Sequence, residues 1–346
     1  IPVSVTPDGR GLNDRGLNLN LARASQFLAK KRWPPGLIKC VQDNLHKCAY
    51  RIFIVDDSGS MAASDGNRLV TSANGLHAKK IQCTRWSELA ETVKFHGELA
   101  YMSQAPTEFR FLNTGHPIQV GTTEDGGTSL SVLQGMLSES PGGVTPLCRH
   151  VREVTHIVQS MEQQLRANRQ EVSLTIFTDG ESSDGNLAAA LKPLEGLPVR
   201  VVIRLCTDND NVLNYWNEID SNLELQMDIL DDLFGEYDEV RGNNSWLNYA
   251  EPLHRVREWG SHYKEFDLLD EGKLCDDHIR TVCALILGGD INRYPDLSTD
   301  AYAFADFVKR ILTNVANVMN PCKKDLRPWV NVDKLRTIHD DGCVLM

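Results

Sequence analysis

The chain has 346 residues, a length typical of one large domain with extensions or of two modest domains. With 41% hydrophobic and 24% charged residues, its composition is that of a globular protein and excludes a disordered or low-complexity chain. The 36 lysines and arginines are outnumbered by 47 aspartates and glutamates, and this formal charge of −11 argues against nucleic acid and for cations or basic partners.

The first 47 residues predict an N-terminal extension with one or two short helices. An apolar-periodic stretch lies between residues 21 and 28, and Trp33-Pro34-Pro35-Gly36 breaks the pattern after it. Residues 50–55 then form a β-branched and aromatic run that ends abruptly at Asp56-Asp57-Ser58-Gly59-Ser60. Such a run predicts a buried strand leading into a loop, so we place a domain boundary between residues 47 and 48.

Predicted strands and helices alternate through the middle of the chain. Strands are expected at 107–112, 118–120, 172–177, 199–205 and 225–230. Helices are expected at 86–100 and 147–165, where apolar residues have helical spacing, and in a short segment at 187–192. This alternation implies right-handed crossovers and therefore an α/β fold, a doubly wound and mostly parallel sheet flanked by helices.

The remaining chain predicts extensions to this α/β domain. We expect the domain to span 48–234, an acidic helical extension to span 235–319, and a short tail to span 320–346. Two helices are predicted in the extension, at 275–287 and 301–318. The acidic extension offers a surface for contacts with other molecules.

Three predicted loops carry side chains with hard oxygen atoms. Asp56, Ser58 and Ser60 follow the first strand, Thr145 precedes a helix, and Asp179 follows the strand at 172–177. Loops at the carboxyl ends of parallel strands lie on one side of the sheet, where open α/β folds bind their ligands. Carboxylates and hydroxyls suit Mg²⁺ or Mn²⁺ better than zinc. Two carboxylates would neutralise a divalent ion and leave it able to attract one more carboxylate.

The sequence Asp56-Asp57-Ser58-Gly59-Ser60-Met61, with Thr145 and Thr178-Asp179-Gly180, resembles the metal-ion-dependent adhesion site of a von Willebrand factor A domain. The resemblance covers roughly residues 50–230 and has the three loops in the family's order. It implies a Rossmann-like fold in which Ser58, Ser60 and Thr145 bind Mg²⁺, Mn²⁺ or Ca²⁺ directly. It also implies that Asp56 and Asp179 bind the ion directly or through water, and that a partner's glutamate or aspartate completes the shell.

Two features depart from the family pattern or have a structural alternative. Residues 62–84 separate the first loop from its expected helix and are interpreted as an insertion near the site. Thr145 precedes Pro146, so it also fits a helix N-cap followed by proline at the first helical position. Residues 181–184 would either shape the rim of the site or form a solvated loop.

The end of the chain predicts a lipid anchor. Cys343-Val344-Leu345-Met346 matches a C-a-a-X box, and the final methionine favours a farnesyl group on Cys343. An unmodified tail is the alternative, because acidic residues precede the box and one prenyl chain anchors weakly. The nine scattered cysteines contain no C-x-x-C pair and favour a reducing compartment, so we expect a cytoplasmic protein, membrane-associated on the cytosolic face if farnesylated. Because the chain starts at Ile1, we expect the natural N-terminus to be absent from this sequence.

Three functional hypotheses follow. The first is a non-enzymatic, metal-dependent module that binds a protein ligand supplying an acidic residue, with no catalytic residues. The second is an intracellular assembly or adaptor factor that docks to a larger complex through the acidic extension. The third is a metal-dependent hydrolase or phosphoryl-transfer enzyme with Asp56 or Asp57 as nucleophile and His150 as base. The sequence has no phosphate-binding loop, nucleophile elbow or zinc-protease motif, which argues against this third hypothesis.

Overall fold

The computed structural model describes residues 19–72, 75–122, 127–207, 209–261 and 263–338. The strands are β1 (Cys48–Val55), β2 (Gly66–Thr71), β3 (Ala78–Cys83), β4 (Thr107–Phe111), β5 (Ile118–Val120), β6 (Glu171–Thr178), β7 (Val199–Leu205), β8 (Met227–Leu230), β9 (Val318–Met319) and β10 (Leu326–Arg327). The helices are α1 (Leu21–Lys30), α2 (Pro35–Lys47), α3 (Arg85–Ser103), α4 (Thr128–Met136), α5 (Leu147–Asn168), α6 (Leu187–Leu191), α7 (Asp210–Ser221), α8 (Leu233–Asn243), α9 (Glu251–Glu258), α10 (Lys264–Glu271), α11 (Asp276–Leu287), α12 (Ala301–Leu312) and α13 (Val332–Arg336). Short 3₁₀ helices span Gly59–Ala62, Lys192–Leu194 and Ile291–Arg293.

The central sheet has six strands in the spatial order β5-β4-β1-β6-β7-β8. Neighbouring strands from β4 to β8 run parallel, and only the edge strand β5 is antiparallel to its neighbour β4. The order of connection reverses at β1, which lies between β4 and β6. The predicted α/β fold with a doubly wound, mostly parallel sheet is therefore confirmed.

The two faces of the sheet are covered by different sets of helices, as alternation along the strands requires. Ile52 and Ile54 of β1 face the side packed by the apolar residues of α5, α6 and α7. Phe53 and Val55 face the opposite side, where Phe53 stacks on Phe109 of β4 with ring centroids 5.1 Å apart. Because the central strands are buried on both faces, they consist of nearly continuous apolar runs.

The terminal extensions pack on the Phe53 side of the sheet. Buried residues of α1, α2, α8, α9, α11 and α12 share one hydrophobic core with β1, β4 and β6. Trp259, just after α9, is 1% exposed and lies 5.9 Å from the Phe53 ring. The boundaries placed after residues 47, 234 and 319 remain predictions, and the segments on either side of them are joined by this core.

Several predicted elements need correction. The helix expected at 301–318 ends at Leu312, and Val318 instead pairs with Arg327 in the small β9-β10 sheet. Helices α4 and α7 were not predicted. The signal for α7 is present, because Val212, Trp216 and Ile219 have helical spacing, but acidic neighbours obscure it.

The segment interpreted as an insertion forms an antiparallel hairpin, β2-β3, followed directly by α3. The hairpin backbone lies against the start of α3 so closely that a Cβ on Gly66 would approach the carbonyl oxygen of Thr84 to 2.8 Å. Thr84 caps α3 by accepting a hydrogen bond from the Ser87 backbone N–H at 3.0 Å. The hairpin is thus fixed to the first turn of α3.

Candidate metal site

The predicted ligands lie beyond the carboxyl ends of two adjacent central strands. Asp56 follows β1 and Asp179 follows β6, and the backbone N–H of Asp56 donates to the Phe177 carbonyl at 3.0 Å. This is the point where the order of strand connection reverses. Open α/β sheets bind ligands in the crevice at such a point, because the adjacent loops lead away in opposite directions.

A chain of hydrogen bonds joins the first and third loops. Ser58 Oγ and Ser60 Oγ are 3.0 Å apart, and Ser60 Oγ donates to Asp179 Oδ1 at 2.8 Å. Asp56 Oδ1 accepts from the Ser58 backbone N–H at 2.9 Å. Four of the five predicted ligands therefore lie in one hydrogen-bonded group, in which Asp56 is joined through the backbone N–H of Ser58.

Asp56 is the most deeply buried member of this group. Its residue is 0% exposed, and its Oδ2 accepts from Thr178 Oγ1 at 2.8 Å. Burial raises the pKa of Asp56, although the hydrogen bonds from Ser58 and Thr178 partly oppose the rise. A carboxylate held in this way gains from a nearby cation, which would replace the lost hydration of its charge.

Asp57 organises the first loop and has no free carboxylate oxygen. Its Oδ1 accepts from the backbone N–H of Asn113 at 2.8 Å and from Asn113 Nδ2 at 3.0 Å. Its Oδ2 accepts from Thr114 Oγ1 at 2.7 Å. Asp57 thus ties the loop after β1 to the loop after β4.

The second loop lies against the first loop, with Thr145 at its end. The Gly142 N–H donates to the Asp57 carbonyl at 2.7 Å, and the Gly59 N–H donates to the Gly143 carbonyl at 3.2 Å. Gly143 adopts a φ of +96°, and a Cβ there would collide with the Asn113 side chain. Only glycine fits this approach, which brings the second loop against the first.

Thr145 is half-buried and is held to the third loop through its backbone. Its N–H donates to Ser183 Oγ at 3.1 Å, and its carbonyl accepts from the Ser183 N–H at 2.8 Å. The N-cap alternative for Thr145 is wrong, because α5 begins at Leu147 and Pro146 occupies the cap position without a side-chain bond. Thr145 is therefore fixed to the third loop through its own backbone N–H and carbonyl.

Asp184 caps α5 in place of Thr145. Its carboxylate accepts from the backbone N–H groups of Cys148 and Arg149, both at 2.9 Å, and from Ser182 Oγ at 2.6 Å. Burial alone would raise the pKa of Asp184, but these hydrogen bonds together lower it. Residues 182–184 thus join the third loop to α5. Ser183 and Asp184 are exposed, which agrees with a solvated loop, and a role at the rim of the site stays a prediction.

Sequence reasoning missed Arg85, the first residue of α3. Its Nη1 donates to Asp179 Oδ2 at 2.8 Å, and its Nε and Nη2 bind the two carboxylate oxygens of Asp65. Hydrogen bonding to Asp65 is the main cause that raises the pKa of Arg85 above its usual range. The contact with Asp179 spans 94 residues of sequence, so no local pattern could have indicated it.

The donor set fits a hard divalent ion. Two carboxylates and the hydroxyls of Ser58, Ser60 and Thr145 are the oxygen ligands that Mg²⁺, Mn²⁺ and Ca²⁺ accept. Ser60 Oγ lies within hydrogen-bonding distance of Ser58 Oγ and of Asp179 Oδ1. Ion binding by this group stays a prediction.

Part of the acidic region forms internal ion pairs. Arg257, 1% exposed, binds Asp228 Oδ1 at 3.1 Å, Glu236 Oε2 at 2.6 Å and Asp270 Oδ2 at 3.0 Å. Glu239 lies beside Glu236 and Asp270, with one oxygen of each carboxylate within 4.8 Å of the others. Asp228, Glu236 and Asp270 compensate a buried cation, whereas Glu239 is exposed.

The described residues test neither the predicted membrane attachment nor the predicted lipid site. Cys343 lies outside them, so farnesylation and a place on the cytosolic membrane face stay predictions. No helix in the described part of the chain is both long enough and apolar enough to cross a bilayer.

Comparison with known proteins finds similarity to solved structures alone. No family model matches the chain, and no curated protein does. The conserved hypothetical protein BatB from Bacteroides thetaiotaomicron aligns at 15% identity with a TM-score of 0.29, over 45% of this chain and 66% of BatB. An aerotolerance-related membrane protein from Bacteroides fragilis, with multiple mutations to serines, aligns at 17% identity with a TM-score of 0.30, over 45% and 67%. The chain thus spans just under two thirds of BatB.

Proposed function

We propose that this protein is a von Willebrand factor A-type binding module whose partner is recognised through a divalent metal ion. The ion would be held by Asp56, Ser58, Ser60, Thr145 and Asp179. We expect the site to prefer Mg²⁺ or Mn²⁺ to Ca²⁺. The observation that carries the proposal is the Ser58–Ser60–Asp179 chain of oxygens at the point where the strand order reverses. The bound ion would supply a positive charge that attracts a carboxylate.

The composition of the ligand set favours an acidic protein ligand. Two carboxylates balance the charge of a divalent ion, and the three hydroxyls add no further negative charge. An octahedral ion with these ligands keeps room for one more oxygen. A glutamate or aspartate of the partner would meet an ion that is not already surrounded by anions.

The surroundings of the site support binding more than hydrolysis. Asp57, the alternative nucleophile, has both oxygens engaged by Asn113 and Thr114. His150 is 5% exposed, and its Nε2 lies 3.2 Å from the Leu112 carbonyl. A general base must reach the proton that it removes, and this imidazole is already bonded to the backbone.

The assembly-factor hypothesis shares the same metal site and differs in where the partner binds. It relied on the acidic extension as the contact surface. Glu236 and Asp270 of this extension are instead paired with the buried Arg257. We propose the metal-dependent module because it depends on the hydrogen-bonded ligand loops and not on this extension.

Titration calorimetry with Mg²⁺ and Mn²⁺ tests this proposal. We expect one site in the wild-type protein and at least about tenfold weaker binding in Asp56→Asn and Asp179→Asn, because each variant removes one ligand charge. Asp306→Asn, an exposed aspartate on α12 that pairs with Arg336, is the matched control and should bind as the wild type does. A wild-type protein that binds neither ion, or variants that bind unchanged, would contradict the proposal.

A further inference from the structure

Arg85 places a fixed positive charge at the proposed ion site. Its side chain is 15% exposed, and that of Asp179 is 1% exposed. Asp179 accepts from Ser60 through Oδ1 and from Arg85 through Oδ2, so the two oxygens of one carboxylate connect the predicted ligands to the guanidinium. A charge-assisted bond at 2.8 Å in this setting is stronger than an exposed ion pair.

The position of Arg85 is determined by the hairpin on one side and the helix on the other. The Arg85 backbone N–H donates to the Ala63 carbonyl at 3.0 Å. Glu88, one turn further along α3, accepts from the Asn67 backbone N–H at 2.8 Å. Asp65, at the start of the hairpin, holds the guanidinium fork with two oxygens. The guanidinium is therefore pre-organised beside Asp179.

A cation fixed beside a ligand opposes the binding of a second cation. An ion bound through Asp179 would lie within a few ångströms of Arg85, where like charges repel strongly at the effective dielectric of a protein surface. Asp65 offsets part of this repulsion, but it is 51% exposed and its charge is partly screened. Arg85 also accounts for the stability of a buried Asp179 in the absence of an ion.

We propose that Arg85 is an internal counter-cation that competes with the divalent ion for Asp179 and thereby sets the ion affinity of the site. The inference rests on the proposed function, since it concerns the same ion. It assigns to the hairpin insertion a role in tuning the site, because Asp65 holds the competing charge in place.

The test is the Mg²⁺ and Mn²⁺ affinity of variants that remove or keep the charge at residue 85. Arg85→Gln removes the charge and keeps a hydrogen-bond donor, so we expect ion binding at least about tenfold tighter than in the wild type. Arg85→Lys keeps the charge and should remain within about threefold of the wild type. Arg68→Gln is the matched control, since Arg68 pairs with Glu91 beside the same hairpin and should leave the affinity unchanged.

The outcomes separate this inference from the proposed function. Equal or weaker ion binding by Arg85→Gln, with the wild type binding, would overturn the role of Arg85 alone. Tighter ion binding by Arg85→Gln, with Arg85→Lys and Arg68→Gln close to the wild type, would support it. Binding by none of the four proteins would overturn the proposed function and the inference with it.

A second measurement needs no variant, in case Arg85→Gln fails to fold. The Nε–H group of Arg85 donates to Asp65 Oδ1, and Nη1 of the same guanidinium donates to Asp179, so the Nε–H resonance reports a displacement of the guanidinium from this position. Competition predicts that this resonance moves as Mg²⁺ saturates the site. A resonance that stays in place while calorimetry shows saturation would contradict the inference.

Discussion

Ser60 Oγ donates a hydrogen bond to Asp179 Oδ1 at 2.8 Å, although the two residues are 119 positions apart in the sequence. Ser60 lies in the loop after β1 and Asp179 in the loop after β6, so the bond joins the loops that follow two adjacent parallel strands. A serine in this position orients the carboxylate and offers its own lone pairs to an ion. The bond is the most direct geometric support for the predicted ligand set.

Ser60→Ala should weaken ion binding more than it weakens the fold. We expect Mn²⁺ affinity to fall about tenfold, because one ligand and one orienting bond are lost together. The free energy of unfolding should fall by only about 0.5–1 kcal/mol, since Ser60 is exposed. Calorimetry and urea unfolding measure the two effects, and Ser160→Ala, an exposed serine on α5, is the control. Equal Mn²⁺ affinity in Ser60→Ala and the wild type would remove Ser60 from the ligand set.

Asp57→Ala should destabilise the protein through the loops that it joins. The substitution leaves the Asn113 N–H and the Thr114 hydroxyl without their acceptor, and Asp57 is 4% exposed, so we expect a loss of about 2–3 kcal/mol. Asp296→Ala is the control, because Asp296 organises its own turn by similar bonds to Ser298 but is exposed. Urea unfolding of the two variants gives the comparison. A loss no larger than that of the control would contradict the structural role of Asp57.

The central strands and the loops after them could be predicted because their signals are local. Residues 50–55 and 172–177 are apolar runs, and the polar residues that follow must lie at the same edge of a parallel sheet. Arg85 could not be predicted in the same way. Its contacts with Asp65 and Asp179 depend on how the hairpin folds back on α3, which no spacing in the sequence specifies.

The function of the acidic residues was also not predictable from the sequence. Glu258, the last residue of α9, is 0% exposed and lies 2.9 Å from Arg255 and 3.0 Å from His96 of α3. Its Oε1 lies 3.5 Å from Arg204 of β7. From composition alone, a glutamate such as Glu258 is expected at the surface. In the structure it is buried, and its ion pairs join the C-terminal helices to the sheet.

Glu258→Gln should therefore lower the free energy of unfolding far more than the loss of an exposed partner of Arg255 does. Burial would raise the pKa of Glu258, but Arg255 and the neighbouring histidines together lower it well below its usual range. Removing this charge leaves buried arginines less compensated, so we expect a loss of about 3–5 kcal/mol. Glu251→Gln also removes a partner of Arg255, at 3.0 Å, but Glu251 is 52% exposed and the loss should stay below about 1 kcal/mol. Similar losses in urea unfolding would contradict a buried role for Glu258.

The pH dependence of stability should reveal Asp267 on α10. Burial, followed by the nearby charge of Asp228, raises the pKa of Asp267 to about 7, and its Oδ1 has no hydrogen-bond partner among the described residues. Arg257 and Arg200 oppose this rise. Between the ordinary aspartate pKa and about 7, the folded protein keeps a proton that the unfolded chain has released. The free energy of unfolding should therefore fall as the pH rises across this interval.

Asp267→Asn removes that titration and should stabilise the protein above pH 7. We expect a gain of roughly 1–2 kcal/mol at pH 8 and little change at pH 4, allowing for partial solvent screening. Urea unfolding from pH 4 to pH 8 measures the slope in the wild type and the variant. Asp277→Asn, an exposed aspartate at the start of α11, should keep the wild-type slope. A variant as pH-dependent as the wild type would show that Asp267 is charged throughout, and Arg257 would then compensate it as it does Asp228.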